Sequence, residues 1–215
     1  IYRLKYDEHF FLQLLMALKK QSHENNTGRK FSERGKYEKD IFDNLDFSLT
    51  DAQIRVLREI RNDLASNKPM NRLIQGDVGS GKTIVAILAA AIVLSHGAQV
   101  AVMAPTEILV AQHYHSFVKF CKPAGIHIEI LTGNMKKEER EKNKKDLESG
   151  EIQLIVGTHA LIQEGVRFKN LGMIIVDEQH RFGVQQRKAF INKGYFPEVL
   201  ALTATPIPRT LTFTI

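Results

Sequence analysis

Eight residues constrain this chain's fold more than any others: Gly76, Asp77, Val78, Gly79, Ser80, Gly81, Lys82 and Thr83. They lie between the apolar run "RLIQ" and the helical stretch "IVAILAAAIVL". They satisfy Gly-x-x-x-x-Gly-Lys-Thr, a pattern that needs a strand before it and a helix after it. Glycines let the backbone curl until its amide groups face a phosphate chain. The helix that follows turns its positive end to the same anion. Lys82 sets a charge against the β- and γ-phosphates, and the Thr83 hydroxyl can ligate Mg²⁺. A glycine-rich turn with a chance Gly-Lys-Thr is the plain alternative, and it does not explain why strand and helix are both present.

The same strand-then-helix texture continues through the chain from Phe47 onward. The apolar runs are "RLIQ", "QVAVMA", "IHIEIL", "IQLIVG", "GMIIVD" and "VLALTA". All but "IHIEIL" lack strict alternation, as expected of strands covered on both faces. Strands alternating with helices imply right-handed crossovers and an α/β fold, a mainly parallel sheet flanked by helices. Ligands of such sheets sit beyond the carboxyl ends of the strands. Functional residues should therefore follow the apolar runs directly.

The 215 residues allow one domain plus an appendage. Residues 1–46 read as a helical linker segment with a polar, mobile stretch, and residues 47–215 as the nucleotide-binding domain. Leu4, Phe11, Leu14, Leu15 and Leu18 suit an amphipathic helix. Apolar content then collapses from Lys19 to about Asp40, the mark of a linker or mobile hairpin. No apolar run is long enough to span a membrane and no signal peptide is evident, so no membrane partner is expected. The single cysteine, Cys121, fits a reducing, cytoplasmic setting and reads as a small buried apolar residue. A net charge of +6 permits a nucleic-acid partner without demonstrating one. Most of the positive charge is interleaved with acids, as in "KKEEREKNKKD", which reads as a solvated helix face. The first residue is Ile1 and the last is Ile215 inside "LTFTI", so the expectation is a piece of a longer protein.

The stretch "IIVDEQHRF" supplies the second half of a phosphate site. A P-loop needs an acid at the end of another strand to hold the metal. Asp177 is placed for that, through a water, since Mg²⁺ keeps much of its hydration shell. Glu178 can then orient the attacking water. Near the start of the domain, "FSLTDAQ" admits two readings. Thr50 and Gln53 make a capping box for the next helix. Equally, the Gln53 amide offers a donor and an acceptor to an adenine edge; beside the other motifs the adenine reading is favoured. Three loop-to-helix entries, "APTEIL", "TGN" and "GTHAL", each offer amides that grip phosphates without reading sequence. Each alone is an N-cap; three on one sheet edge suggest a track for a nucleic-acid backbone. In "TATPIPRT", Thr203 and Thr205 end the last strand and could bridge to His180, although plain capping accounts for them as well.

Taken in order, "GDVGSGKT", "DEQH" and "TATPIPRT" resemble the first RecA-like motor domain of a superfamily 2 helicase. With "APTEILVAQH", "GTHALIQ", "DEQHRFGVQQR" and "TATPIPRTL", the resemblance narrows to the RecG family of bacterial branch-migration helicases over residues 47–215. Residues 1–20 resemble that family's segment between wedge and motor domains. The transcription-repair coupling factors share "RFGV" and "TATPIPRTL" but usually carry an aromatic at Ser80 and glutamates at Gln179 and His180. PriA is more distant.

The resemblance implies adenine contacts from Phe47 and Gln53, and triphosphate and Mg²⁺ contacts from the P-loop. It implies hydrolysis by Asp177 and Glu178, coupling to movement by His180, and duplex DNA along Pro105, Thr106, Gly133, Thr158 and His159. It further implies ATP as cofactor and branched DNA, forks and Holliday junctions, as substrate. A second RecA-like domain and a wedge domain would be partners within a longer chain. Since the second domain supplies an arginine finger in that family, the 215 residues alone are expected to bind nucleotide weakly and scarcely hydrolyse it. The competing functional readings are a coupling-factor motor, a nucleotide-gated DNA-binding scaffold and, more weakly, a P-loop kinase.

Overall fold

Each of the six apolar runs becomes a strand in the computed structural model, which describes residues 28–32, 35–178, 190, 191, 193, 194 and 196–204. The strands are β1 (Asn71–Gln75), β2 (Gln99–Met103), β3 (Ile128–Leu131), β4 (Leu154–Gly157), β5 (Leu171–Asp177) and β6 (Glu198–Thr203). They form one sheet in the order β1-β6-β5-β2-β4-β3. Every pairing is parallel, so all six carboxyl ends share one edge.

Successive residues of a strand point to opposite faces, and here both faces are covered. Val100, Val102, Met173 and Ile175 enter one apolar cluster, while Ala101, Met103, Ile174 and Val176 enter another. That double burial is why the central runs do not alternate. The outermost strands are the most open: in β3, Glu129 and Ile130 are half-buried, which accounts for the alternation of "IHIEIL".

The helices divide between the faces. Buried residues of α1 (Lys36–Asp43), α2 (Asp51–Leu64), α3 (Lys82–Ser95) and α4 (Glu107–Cys121) join the first cluster. Leu147 of α5 (Lys137–Ser149) joins the second. α3 buries every residue from Ile84 to Leu94, as a helix apolar all round must. Its long contact with the core is what fixes the P-loop ahead of it. α5 keeps a charged outer face, with Lys144 donating to Glu141 at 2.8 Å, as the charge interleaving implies. Burial pushes the Cys121 thiol up to about 12, consistent with its expected role as a small apolar residue.

One expectation needs correction. From Gly28 the polar stretch is packed rather than mobile in its described part: Phe31 and Ile41 belong to the core. Glu38 is buried against Arg61, and the Tyr37 backbone N–H donates to Ser95 Oγ at 3.1 Å. Two widely spaced apolar residues and a buried ion pair leave little periodic signal. The helix expected over residues 1–20 lies outside the described residues. Among the described residues, no helix is long and apolar enough to cross a membrane.

Candidate functional site

The P-loop leaves β1 at Gly76, whose N–H donates to the Thr203 carbonyl of β6 at 3.2 Å. Gly79 and Gly81 have φ of 80° and 79°, the left-handed region that glycine enters without penalty. A Cβ on Gly81 would lie 2.2 Å from Gln53 Nε2, the movable end of that side chain, so the positive φ is what requires glycine and a larger residue would also displace the amide. The Lys82 ammonium folds back, donating to the carbonyls of Gly76 at 2.6 Å and Asp77 at 2.8 Å. It is thus held over the loop rather than released to solvent. Val78, at the tip, is 89% exposed; Asp77, Gly79 and Ser80 are also open, and Thr83 is half-buried.

Gln53 is engaged at both ends of its amide. The capping box is complete: the Thr50 N–H donates to Gln53 Oε1 at 2.9 Å and the Gln53 N–H to Thr50 Oγ1 at 3.3 Å. The amide's donor end reaches the P-loop, with Nε2 donating to the Ser80 carbonyl at 3.0 Å. A cleft of about 420 Å³ opens here, lined by Phe47, Gln53, Gly81, Thr83, Ser116 and Phe120 among others. The Phe47 and Phe120 rings meet edge to face across it, 6.3 Å between centroids. A slot walled by two phenylalanines and two isoleucines, with the Gln53 amide and several hydroxyls around it, suits a flat heteroaromatic ring.

Asp177 ends β5, one strand removed from the P-loop. In register, Gln75 pairs with Thr203, and Asp177 with Leu202, on the two sides of β6. Two strand spacings put the acid about 10 Å from the loop, the span a triphosphate and its cation can bridge. Glu178 has φ of 51°, a conformation that costs a non-glycine residue free energy. Its N–H donates to the Leu202 carbonyl at 2.9 Å and to Asp177 Oδ1 at 3.0 Å, which hold it there. Asp177 Oδ2 lies 2.7 Å from His113 Nε2.

The donor set fits Mg²⁺. Thr83 offers a hydroxyl to the ion and Asp177 a carboxylate to its bound water, both hard oxygen groups. Among the described residues no cluster of three or more His, Cys, Asp or Glu exists that would cage a metal by itself. Mg²⁺ keeps several waters and takes the rest of its shell from phosphate oxygens, so few protein ligands are what it needs.

The other three strands end in helix starts. Thr106 caps α4, its Oγ1 accepting from the Leu109 N–H at 3.3 Å. Thr158 caps a 3₁₀ turn (His159–Ile162), its Oγ1 accepting from the Ala160 N–H at 3.4 Å. Thr158 is buried, while Thr106, Gly133 and His159 are exposed and Pro105 half-exposed on the same edge. The Asn134 amide donates to Glu107 at 3.0 Å, tying two of these loops together. His180 and Thr205 lie outside the described residues. Thr203 is described, and its carbonyl grips the P-loop as given above.

Three residues near the site escaped sequence reading: His113, Ser116 and Phe120. Their spacing of three and four on α4 puts them on one helix face. That period was the available signal, and it also described an ordinary core helix.

A glycine loop on β1 feeding a buried helix, with an Asp-Glu pair one strand away, defines a P-loop nucleoside-triphosphatase domain. The sequence model of the DEAD/DEAH box helicases matches residues 50–213, and the chain belongs to that family. ATP-dependent DNA helicase RecG of Aquifex aeolicus is 49% identical over 215 residues, covering 99% of this chain and 27% of that protein. The protein of the same description from Bacillus subtilis is 48% identical over 216 residues, covering 99% of this chain and 31% of its own length. A solved structure of RecG bound to a three-way DNA junction superposes with a TM-score of 0.85 at 47% identity, over 98% of this chain and 28% of that one. The chain therefore spans less than a third of the length of each of these relatives.

Proposed function

We propose that this chain is the ATP-binding motor domain of a cytoplasmic helicase that translocates on branched duplex DNA, driving fork reversal and Holliday junction branch migration. The observation that carries the reading is the split sheet edge. β1, β6 and β5 end in groups suited to a Mg²⁺–triphosphate, and β2, β4 and β3 end in helix starts suited to phosphodiesters. One rigid sheet joins them, which a motor requires. Phe47 and Gln53 hold adenine, with Gln53 exchanging its Ser80 contact for the base. Gly76 to Gly81 wrap the phosphates, and Lys82 moves from its loop carbonyls onto the β- and γ-oxygens. Thr83 and Asp177 hold Mg²⁺, which when bound neutralises charge on the phosphates. Glu178 orients the attacking water. His180, with Thr203 and Thr205, couples turnover to movement.

Pro105, Thr106, Gly133, Thr158 and His159 follow the DNA backbone. A second RecA-like domain and a wedge domain of the full-length protein complete the ATPase site and the fork-splitting surface. In that protein, Lys82→Ala removes triphosphate affinity, whereas Glu178→Gln keeps it and lowers turnover by about 10²- to 10⁴-fold. Equal loss of binding in both variants overturns this division of roles.

A further inference from the structure

His113 reaches the metal-binding acid from the other half of the sheet edge. It lies on α4, seven residues after Thr106, or about 10 Å along the helix axis. α4 follows β2, and β2 is the direct neighbour of β5, so His113 stands at the seam between the two halves. Its Nε2 meets Asp177 Oδ2 at 2.7 Å, and both side chains are nearly closed to solvent, 11% and 14% exposed. An ionised carboxylate only accepts, so Nε2 carries the proton. Asp177 Oδ1 takes the Glu178 N–H at 3.0 Å. Each oxygen thus receives one donor, and half of the carboxylate's lone-pair sites stay available.

We infer that His113 is a positioning residue for ATP hydrolysis: it fixes the Asp177 carboxylate in the rotamer that receives the hydrated Mg²⁺. An aliphatic side chain would fill the same space without orienting the acid. Donors behind a metal-ligating carboxylate hold it in place, and losing one typically weakens metal affinity about 10- to 100-fold. The inference rests on the assignment of Asp177 to Mg²⁺, and the test separates the two.

The test uses the full-length protein and a fluorescent ATP analogue, titrated in excess Mg²⁺ and in EDTA. The readout is the gain in affinity that Mg²⁺ confers. His113→Leu keeps the bulk and loses the donor; it should cut that gain about 10- to 100-fold and leave the EDTA affinity unchanged. His113→Gln restores a donor and should recover most of the gain. A full gain in His113→Leu overturns the positioning role, as does an equal loss in both variants. A loss of affinity in EDTA as large as that in Mg²⁺ also overturns it, since that marks general damage. Should His113→Leu fail to fold, the glutamine variant decides: a near-native gain supports the role and a lost gain refutes it. Asp177→Asn is the control for the underlying assignment. If it leaves the gain intact, the metal assignment fails; if it abolishes the gain while His113→Leu does not, only the positioning role fails.

Discussion

The two halves of the sheet edge are built differently. On the β1-β6-β5 side the backbone is special and the side chains are already engaged. Gly79, Gly81 and Glu178 have positive φ; Lys82, Gln53 and Asp177 each hold a partner within the site. On the β2-β4-β3 side no described residue at the carboxyl ends of the strands has a positive φ. Thr106 and Thr158 are plain caps, and Gly133 has open space around it. The contrast fits the tasks proposed for the two halves. Developing charge on a phosphoryl group is stabilised by groups fixed before the reaction. A grip on a nucleic-acid backbone that ignores sequence needs only accessible amides and positive helix ends.

Substitutions in each half should therefore fail in different assays. The largest effect belongs to Glu178→Gln, which should abolish most turnover by the full-length protein while leaving its affinity for a three-way junction unchanged. A parallel fall in junction affinity, measured by gel shift, would erase the distinction between halves.

Two glycines give the next comparison. Gly81→Ala puts an alanine in the left-handed region and displaces the Gln53 amide; a backbone penalty of about 1–2 kcal/mol should weaken nucleotide binding about 5- to 30-fold. Gly133→Ala meets nothing within 4 Å. It should leave the melting temperature alone and lower junction affinity only a few-fold, by crowding an amide. Combining it with His159→Ala should deepen that loss without touching nucleotide affinity. If Gly81→Ala and Gly133→Ala behave alike in nucleotide titration, the division is wrong.

The smallest effect lies at the opposite end of the sheet, where β6 begins. Burial, outweighing the Met70 N–H that donates to it, pushes the Glu198 carboxyl up to about 8. The folded chain therefore keeps a proton that the unfolded chain releases near the ordinary carboxyl value of 4.5. Stability from this group is full below that value and is lost as pH rises toward 8. Glu198→Gln should raise Tm by a few degrees at pH 8.5 and by less at pH 5, with neither half of the edge affected. An unchanged pH dependence of Tm in the variant contradicts this.

Much of this was legible beforehand, for physical reasons. The inner strands, covered on both faces, announce themselves as unbroken apolar runs, while the edge strand β3 shows itself by the alternation of "IHIEIL". The P-loop declares itself because its backbone demands glycine and its helix demands apolar residues. What stayed hidden depends on tertiary contact. Gln99 is buried, with Nε2 donating to the Leu147 and Ile152 carbonyls at 2.8 and 2.7 Å and Oε1 accepting from the Asn170 N–H at 2.9 Å. No local pattern marks such a residue. Glu38 and His113 are similar cases, polar residues whose partners come from distant segments. The packing of Phe31 and Ile41 was hidden by the polar residues around them. At Gln53 the sequence offered two roles for one side chain; the fold shows the cap in place with the amide's other end on the P-loop.

The central claim is that one sheet couples a triphosphate site to a DNA track. The direct measurement is ATP turnover by the full-length protein, titrated with a three-way junction. The rate should climb with junction and saturate, with the half-saturating concentration raised by Gly133→Ala and His159→Ala. A rate indifferent to junction would contradict it and make the chain a nucleotide-binding scaffold.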